Sequence, residues 1–168
     1  LGNDGDTLEA TWTPDGAGVV VAATTNRHEA ARAEVISSLW HVRLAGGEPR
    51  RLTGDEGDYS SPEFTPDGKA LAFVERTANS EDIWMLPIGE GAAPPRPWLN
   101  TGFNESHPDW SPDGRWIAYD SNESGRSEVY VQPYPGPGPR YAVSRDGGSS
   151  PAWARDGREL FYLAGSPD

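Results

Sequence analysis

The sequence predicts an all-β fold, a β-propeller arc of about four consecutive four-stranded blades, from three observations. A short motif occurs four times, each time before an apolar run: Trp12-Thr-Pro-Asp-Gly16, Phe64-Thr-Pro-Asp-Gly68, Trp110-Ser-Pro-Asp-Gly114 and Trp153-Ala-Arg-Asp-Gly157. The copies start 52, 46 and 43 residues apart, near the roughly 40–50 residues of a propeller blade. The chain also contains 20 Gly, 16 Pro and 7 Trp, a composition typical of short strands joined by many turns.

The third copy shows how one repeat divides into strands. Its Asp-Gly pair predicts a tight turn between a strand that ends at Trp110 and a second strand at 115–120, because Gly tolerates the positive φ of such turns. Alternating side chains predict a third strand at 128–132, and a fourth follows at 140–144 after a turn rich in Pro and Gly. One repeat therefore makes one blade.

The other copies follow the same order. Their second, third and fourth strands are predicted at 18–23, 39–44 and 50–53 in the first copy and at 70–74, 82–86 and 96–99 in the second. The first copy has extra length before its third strand, where 29–34 is predicted to form a short helix. The fourth copy stops after its second strand, near Ala164. The predicted blade repeats within one partial propeller over 1–168 are 8–59, 60–104, 105–148 and a truncated 149–168.

The second strands are apolar on both faces, for example at 71–74 and 116–119. A sheet with one face in water would alternate polar and apolar residues, whereas a sheet packed between two others would not. Blades packed side by side explain this pattern. Because four blades, the last of them incomplete, cannot close a ring, we expect an arc of a larger six- to eight-bladed propeller, or self-association through exposed end blades.

Composition and charge exclude several classes of function. The chain has 26 acidic and 14 basic residues and a net charge of −12, which repels nucleic acids and anionic lipid surfaces. No apolar run reaches the roughly 18 residues of a membrane helix, so direct membrane insertion is not expected. The absence of Cys excludes disulfides, thiolate metal sites and Cys nucleophiles. No cofactor is predicted.

Catalytic patterns are incomplete. Ser106, His107 and Asp109 have the residue types of a hydrolytic triad, but neighbours on one strand point to alternate faces and cannot align as the mechanism requires. His28-Glu29 begins a zinc-peptidase pattern, yet position 32 is Arg where the second His would stand. The Gly-x-Ser-x-Gly motif and the protein-kinase signatures are also absent from these residues. The sequence therefore predicts a non-enzymatic chain.

The loops that lead into the innermost strands are the predicted binding site, because propellers bind ligands at one end of the central channel. These loops, 57–61, 104–107 and 147–150, are polar and acidic, which suits contact with a protein or peptide. A solvated rim without a partner is the alternative. The candidate binding residues are Asp58, Tyr59, Glu105, His107 and Ser149.

The Asp-Gly pairs and the loop at 120–128 are the two other sets of polar residues with a recognisable pattern. The Asp-Gly pairs are predicted to serve the turns of the fold: Asp15, Gly16, Asp67, Gly68, Asp113, Gly114, Asp156 and Gly157. The loop at 120–128 carries oxygen-bearing side chains in the general order of a calcium loop, but its last Glu comes too early for an EF-hand and it also fits an ordinary hairpin loop. No metal is predicted. The ligands in that loop would be Asp120, Asn122, Ser124 and Glu128.

The repeat resembles a known family. The pattern x-Pro-x-Trp-Ser-Pro-Asp-Gly-x-x-Ile-Ala-Tyr, followed by Glu-Val-Tyr-Val, resembles the TolB-type propeller repeat, a relative of WD-type repeats. At 97–106, 121–131, 133–138 and 156–162 the sequence is similar to a narrower group, the propeller C-terminal to bacterial serine/threonine protein kinase domains. The segment 39–53 fits equally well in the N-terminal propeller of prolyl oligopeptidase family enzymes.

These resemblances imply a non-catalytic module for protein or ligand binding. The module would be the sensor or scaffold part of a bacterial serine/threonine kinase, with the catalytic domain outside this chain. The alternatives are the gating propeller of a prolyl oligopeptidase family serine peptidase and a stand-alone envelope scaffold. A kinase-linked or TolB-like protein would lie on the extracytoplasmic side, whereas a peptidase-linked one would be cytoplasmic.

Overall fold

The computed structural model describes residues 9–24, 36–54, 57–136 and 138–165, which contain fourteen β-strands and no helix. The strands form four antiparallel sheets in chain order, three with four strands and a last one with two. Consecutive strands are neighbours in every sheet, as in the blades of a propeller. The prediction of an all-β fold with successive blades, the last of them incomplete, is confirmed.

The first two blades contain the predicted strands. Blade 1 consists of β1 (Ala10–Trp12), β2 (Gly18–Ala23), β3 (Ser38–Arg43) and β4 (Arg50–Arg51). Blade 2 consists of β5 (Asp58–Phe64), β6 (Ala70–Arg76), β7 (Glu81–Pro87) and β8 (Arg96–Leu99). β5 begins two residues before the predicted start of the second repeat at 60. The helix predicted at 29–34 lies outside the described residues.

The last two blades differ in completeness. Blade 3 consists of β9 (Glu105–Trp110), β10 (Trp116–Ser121), β11 (Glu128–Pro133) and β12 (Tyr141–Ala142). β12 is shorter than the predicted 140–144, because only its two residues pair with β11. Blade 4 consists of β13 (Gly148–Trp153) and β14 (Leu160–Ala164).

Each Asp-Gly pair closes the turn between the first two strands of a blade. In blade 3, Asp113 Oδ1 accepts hydrogen bonds from the Ser111 hydroxyl at 2.6 Å and from the Arg115 N–H at 3.1 Å. Both bonds lower the pKa of Asp113. Gly114 has a φ of 69°, which a residue with a side chain seldom adopts. Corresponding turns are made by Thr13, Asp15 and Gly16, by Thr65, Asp67 and Gly68, and, without the hydroxyl, by Ala154, Asp156 and Gly157.

The same motif also joins neighbouring blades. Pro14 of blade 1 lies so close to Gly68 of blade 2 that a Cβ added to this glycine would be 2.7 Å from Pro14 Cγ. The contact recurs between later blades in a looser form, with Pro66 and Pro112 at 3.8 and 3.5 Å from the added Cβ atoms of Gly114 and Gly157. The motif therefore forms the turn and packs one blade against the next.

Apolar residues pack in the first two blade interfaces. One core cluster joins blades 2 and 3 and contains Ala72, Val74, Ile83, Met85, Trp110, Ile117, Tyr119 and Tyr130. A smaller cluster joins blades 1 and 2 and contains Val20, Leu39, Leu71 and Phe73. β6 contributes to both clusters, as expected of a strand that is apolar on both faces.

The last strand lacks this cover. On β14, Phe161 and Leu163 are exposed, because no further blade covers their face in the described part of the chain. The described residues also contain no helix of the length and apolar character that a bilayer span requires.

We expect Trp110→Ala to lower the free energy of unfolding by ~3–5 kcal/mol, because this substitution empties the core between blades 2 and 3. The Trp110 side chain is 5% exposed, and its ring centroid lies 4.4 Å from that of Tyr134. Urea unfolding would measure the loss. Trp12 occupies the same motif position and is 63% exposed, so Trp12→Ala is the matched control. Equal losses in the two variants would contradict the assigned packing.

Candidate binding site at the starts of the innermost strands

A β-bulge marks the start of the innermost strand in three blades. The residue before the repeat proline has left-handed backbone there, with φ of 49° at Ser61, 49° at His107 and 51° at Ser150. The pairing register shifts at the same points. Because the bulge absorbs one extra residue, pairing with the second strand resumes on its far side.

The bulge changes the placement of the predicted binding residues. Sequence analysis assigned them to loops, whereas Asp58 and Tyr59 pair with Arg76 and Glu75 as the first residues of β5. Glu105 and His107 lie in β9, and Ser149 lies in β13. We call this end of the described blades, with the loop 122–127 beside it, the rim.

Carboxylates of one blade hold the strained backbone of the next. The Glu9 carboxylate of blade 1 accepts a hydrogen bond from the Ser61 N–H of blade 2. Asp120 Oδ1 of blade 3 accepts one from the Ser150 N–H of blade 4 at 3.2 Å. A left-handed non-glycine residue costs of order 1–3 kcal/mol and persists where its surroundings hold it. These bonds supply part of that support.

His107 and Asp120 form the most distinctive pair at the rim. His107 Nδ1 lies 2.8 Å from Asp120 Oδ1, and the two side chains are 46% and 10% exposed. The hydrogen bond to Asp120 raises the pKa of His107; burial opposes this, and the charges of Asp120, Glu9 and Glu81 reinforce it. The positions that correspond to Asp120 in the other blades hold Ala22, Val74 and Leu163. Blade 3 therefore has a hydrogen-bonded pair of histidine and aspartate where blades 2 and 4 have a serine and an apolar residue.

Arg76 bridges two further acids of the rim. Its guanidinium lies 3.2 Å from Asp58 Oδ2 and 2.7 Å from Glu81 Oε1. Burial would raise the pKa of Glu81, but hydrogen bonds from Ser106 and Arg76 outweigh it and lower that pKa. Asp58 Oδ1 also accepts the Ser37 N–H at 2.9 Å. The rim therefore presents carboxylates that are already ordered by the protein.

The remaining predicted binding residues differ in accessibility. Tyr59 is half-buried and packs edge-on against Phe73 at 5.7 Å. Ser149 lines a cavity of about 290 Å³ together with Arg126 and Asp146. Glu105 is 1% exposed, so its carboxylate does not face a partner docking at the rim.

Glu105 is part of a buried polar cluster. Burial and the charge of Asp82 raise the pKa of Glu105. A hydrogen bond from Thr101 acts in the opposite direction but does not reverse the rise. Glu105 Oε2 and Asp82 Oδ1 are buried without a hydrogen-bond partner among the described residues. Sequence reasoning placed Glu105 on the surface because a charged residue is usually exposed.

The three residues with triad chemistry make separate contacts. The Ser106 hydroxyl donates to Glu81, His107 pairs with Asp120, and Asp109 accepts the Trp153 N–H. A triad instead needs the nucleophile bonded to the base and the base bonded to the acid. These contacts form no such relay.

The candidate metal loop also directs its oxygens to protein groups. Asn122 Oδ1 accepts the Asn104 N–H at 2.9 Å, and the Ser124 hydroxyl donates to the Arg126 carbonyl. Glu128 pairs with Arg126 at 2.9 Å, and Asp120 pairs with His107. In the described ranges no group of three His, Asp or Glu side chains is arranged to hold a metal ion.

Glu63 and Asp109 form an acidic pair on neighbouring innermost strands, which the sequence motifs alone did not reveal. Thr11, Glu63 and Asp109 occupy the same motif position in blades 1, 2 and 3. Burial raises the pKa of Glu63 to about 7; the charge of Asp109 contributes to this rise and a hydrogen bond from Thr11 opposes it. Burial also raises the pKa of Asp109. Alignment of the four motif copies would have revealed this row, because residues at one repeat position meet across neighbouring innermost strands.

The family comparison matches most of the chain. The sequence pattern of the TolB beta propeller domain matches residues 34–167. No curated protein is similar enough in sequence to count as a match.

Solved structures share the fold. A protein assigned as TolB in Agrobacterium tumefaciens superposes with a TM-score of 0.77 at 20% identity, over 95% of this chain and 55% of that one. TolB from Acinetobacter baumannii superposes with a TM-score of 0.71 at 17% identity, over 96% of this chain and 38% of that one. A structure from a study of two prolyl endopeptidases superposes with a TM-score of 0.58 at 14% identity, over 93% of this chain and 26% of that one. This chain thus spans about half, or less, of these structures, and at such identities the likeness concerns the fold.

We expect Glu63→Gln to flatten the dependence of stability on pH. The pKa of Glu63 in the folded protein, about 7, lies above its ordinary value of 4.5. Its contribution to stability is therefore complete below pH 4.5 and is lost as the pH rises through 7. The loss in the wild type is on the order of 2–3 kcal/mol.

Urea unfolding at pH 4.5, 6 and 7.5 would measure this effect. Glu90→Gln makes the same chemical change at an exposed loop residue and should reproduce the wild-type profile. The assignment fails if Glu63→Gln loses as much stability over this interval as the wild type does.

Proposed function

The chain belongs to the TolB β-propeller family, and on that premise we propose that it is a non-catalytic module that binds a protein or peptide at the rim. The observation that carries this proposal is the half-exposed His107 imidazole, held by Asp120 among ordered carboxylates. A preformed polar cluster in a propeller rim costs little to order when a partner binds.

The charge of the rim favours a basic partner. Glu9, Asp58, Glu81 and Asp120 supply four carboxylates, against the guanidinium of Arg76 and the imidazole of His107. The whole chain carries a net charge of −12. Electrostatic complementarity raises the rate of encounter and selects partners of opposite charge. We therefore propose a Lys- or Arg-containing segment as the ligand.

Several features support a binding role without catalysis. Ser106, His107 and Asp109 are bonded to different partners and form no relay. The rim side chains are engaged in holding the blades together, as in a rigid recognition surface. Catalytic groups of a longer protein would then lie outside these residues.

Two parent proteins are compatible with this role. The resemblance at 97–106 and 121–131 supports the sensor or scaffold part of a bacterial serine/threonine kinase, which would place the propeller on the extracytoplasmic side. The prolyl endopeptidase among the structural neighbours supports a gating propeller of a serine peptidase as the second candidate. The coding sequence on both sides distinguishes them, by a kinase domain upstream or a Gly-x-Ser-x-Gly hydrolase downstream.

We expect peptides selected from a random display library on this chain to be enriched in Lys and Arg. Asp58→Asn keeps an acceptor for the Ser37 N–H and removes one rim charge. This substitution should weaken the selected peptides about tenfold, which corresponds to ~1.4 kcal/mol, as measured by calorimetry in low salt.

Glu90→Gln is the matched control. It changes the net charge as Asp58→Asn does, but in the loop between β7 and β8, at the opposite end of the blades. Its peptide affinity should equal that of the wild type. Selected peptides without enrichment in basic residues would contradict the proposed basic ligand, and equal affinity for the wild type and Asp58→Asn would exclude the rim as the binding surface.

A further inference from the structure

A groove of about 330 Å³ lies between blades 1 and 2. Its walls include the Asp-Gly turns of both blades. Because the strands of each blade are antiparallel, these turns lie at the end opposite the rim. The groove is thus separate from the site of the proposed function.

Comparison of the repeats explains why the groove exists. Leu52, Phe64 and Ile88 line it. At the next interface, between blades 2 and 3, the corresponding positions hold Trp98, Trp110 and Tyr134. The correspondence follows from the register. Arg50 pairs with His41 and Arg96 pairs with Met85 on the third strands, and Leu52 and Trp98 each stand two residues after these arginines. Phe64 and Trp110 open the motif, and Ile88 and Tyr134 directly follow the third strands.

The larger side chains occupy the second interface. The Trp110 and Tyr134 rings are 4.4 Å apart, and the Trp98 ring lies 6.3 Å from Tyr134. Both contacts are typical aromatic packing distances. The first interface has an aliphatic residue at two of these three positions. The space that aromatic rings fill in one interface is open in the other.

One wall of the groove supplies a cation. Arg50 is exposed and lines the groove beside His41, with which it pairs across β3 and β4. Among the described residues Arg50 has no ion-pair partner within 4.0 Å. The two carboxylates that also line the groove have other partners than Arg50. Asp67 binds Lys69 at 3.3 Å, and Asp15 accepts the Ala17 N–H. An arginine fork matches a carboxylate.

From this geometry we propose that the groove binds a small planar aromatic carboxylate. The ring occupies the space that corresponds to Trp98 and Tyr134, against Leu52, Phe64 and Ile88, and the carboxylate lies at Arg50. Aromatic rings pack favourably edge-on or offset against a ring such as Phe64. A ligand of about a dozen heavy atoms in an open groove should bind with a Kd of about 0.1–1 mM.

Indole-3-acetate is the probe, with indole and tryptamine as matched ligands without the carboxylate. Ligand-observed NMR titration of the wild type should give saturable binding of indole-3-acetate, at least fivefold tighter than either analogue. Arg50→Gln should remove this preference. Arg96→Gln changes the corresponding arginine of blade 2, where the ring space is filled, and should leave the titration unchanged.

Filling variants test the ring position. Leu52→Trp introduces the residue of the next interface and should abolish binding while the melting temperature stays at or above that of the wild type. Ile88→Tyr makes the same test at the other wall if Leu52→Trp does not fold. No saturable binding up to 10 mM, on the order of ten times the upper expected Kd, would overturn the proposal. So would unchanged binding in a folded filling variant, or tighter binding of tryptamine than of indole-3-acetate.

Discussion

The packing of each blade against its neighbours is the interaction on which the rest of the structure depends. A single four-stranded sheet cannot bury both faces of its own second strand, so Leu71 and Phe73 in β6 are buried only because blade 1 covers them, while Ala72 and Val74 face blade 3. On β14, where the described chain provides no such cover, Phe161 and Leu163 are exposed. Stability of this kind is shared between repeats.

The polar groups obey the same constraint. The bulge near the start of an innermost strand leaves backbone N–H groups that the sheet does not pair. Glu9 and Asp120 reach across to the next blade and accept those bonds at Ser61 and Ser150. The acidic residues of the rim therefore stabilise the contact between blades. Their solvent-facing atoms and the half-exposed His107 imidazole are the groups available to the proposed partner.

Repetition with variation accounts for the two candidate sites. A nearly constant backbone frame is lined by different side chains at corresponding positions, so a local substitution becomes a local site. The pair His107 and Asp120 replaces serine and apolar residues in one blade, and Leu52 and Ile88 leave open a space that Trp98 and Tyr134 fill in the next interface. The residues that vary between blades are not those of the Asp-Gly turns, so the turns stay the same although they form part of the groove wall.

The sequence by itself determined the blades and their turns, because strand alternation and the φ requirement of Gly114 are local properties of neighbouring residues. It did not reveal that Glu105 is buried, that Glu63 meets Asp109, or that His107 pairs with Asp120. These outcomes depend on contacts between strands that are distant in the chain, and on a bulge that turns residues expected in loops into strand residues. Only the tertiary structure decided them, since burial and charge proximity arise when blades pack together.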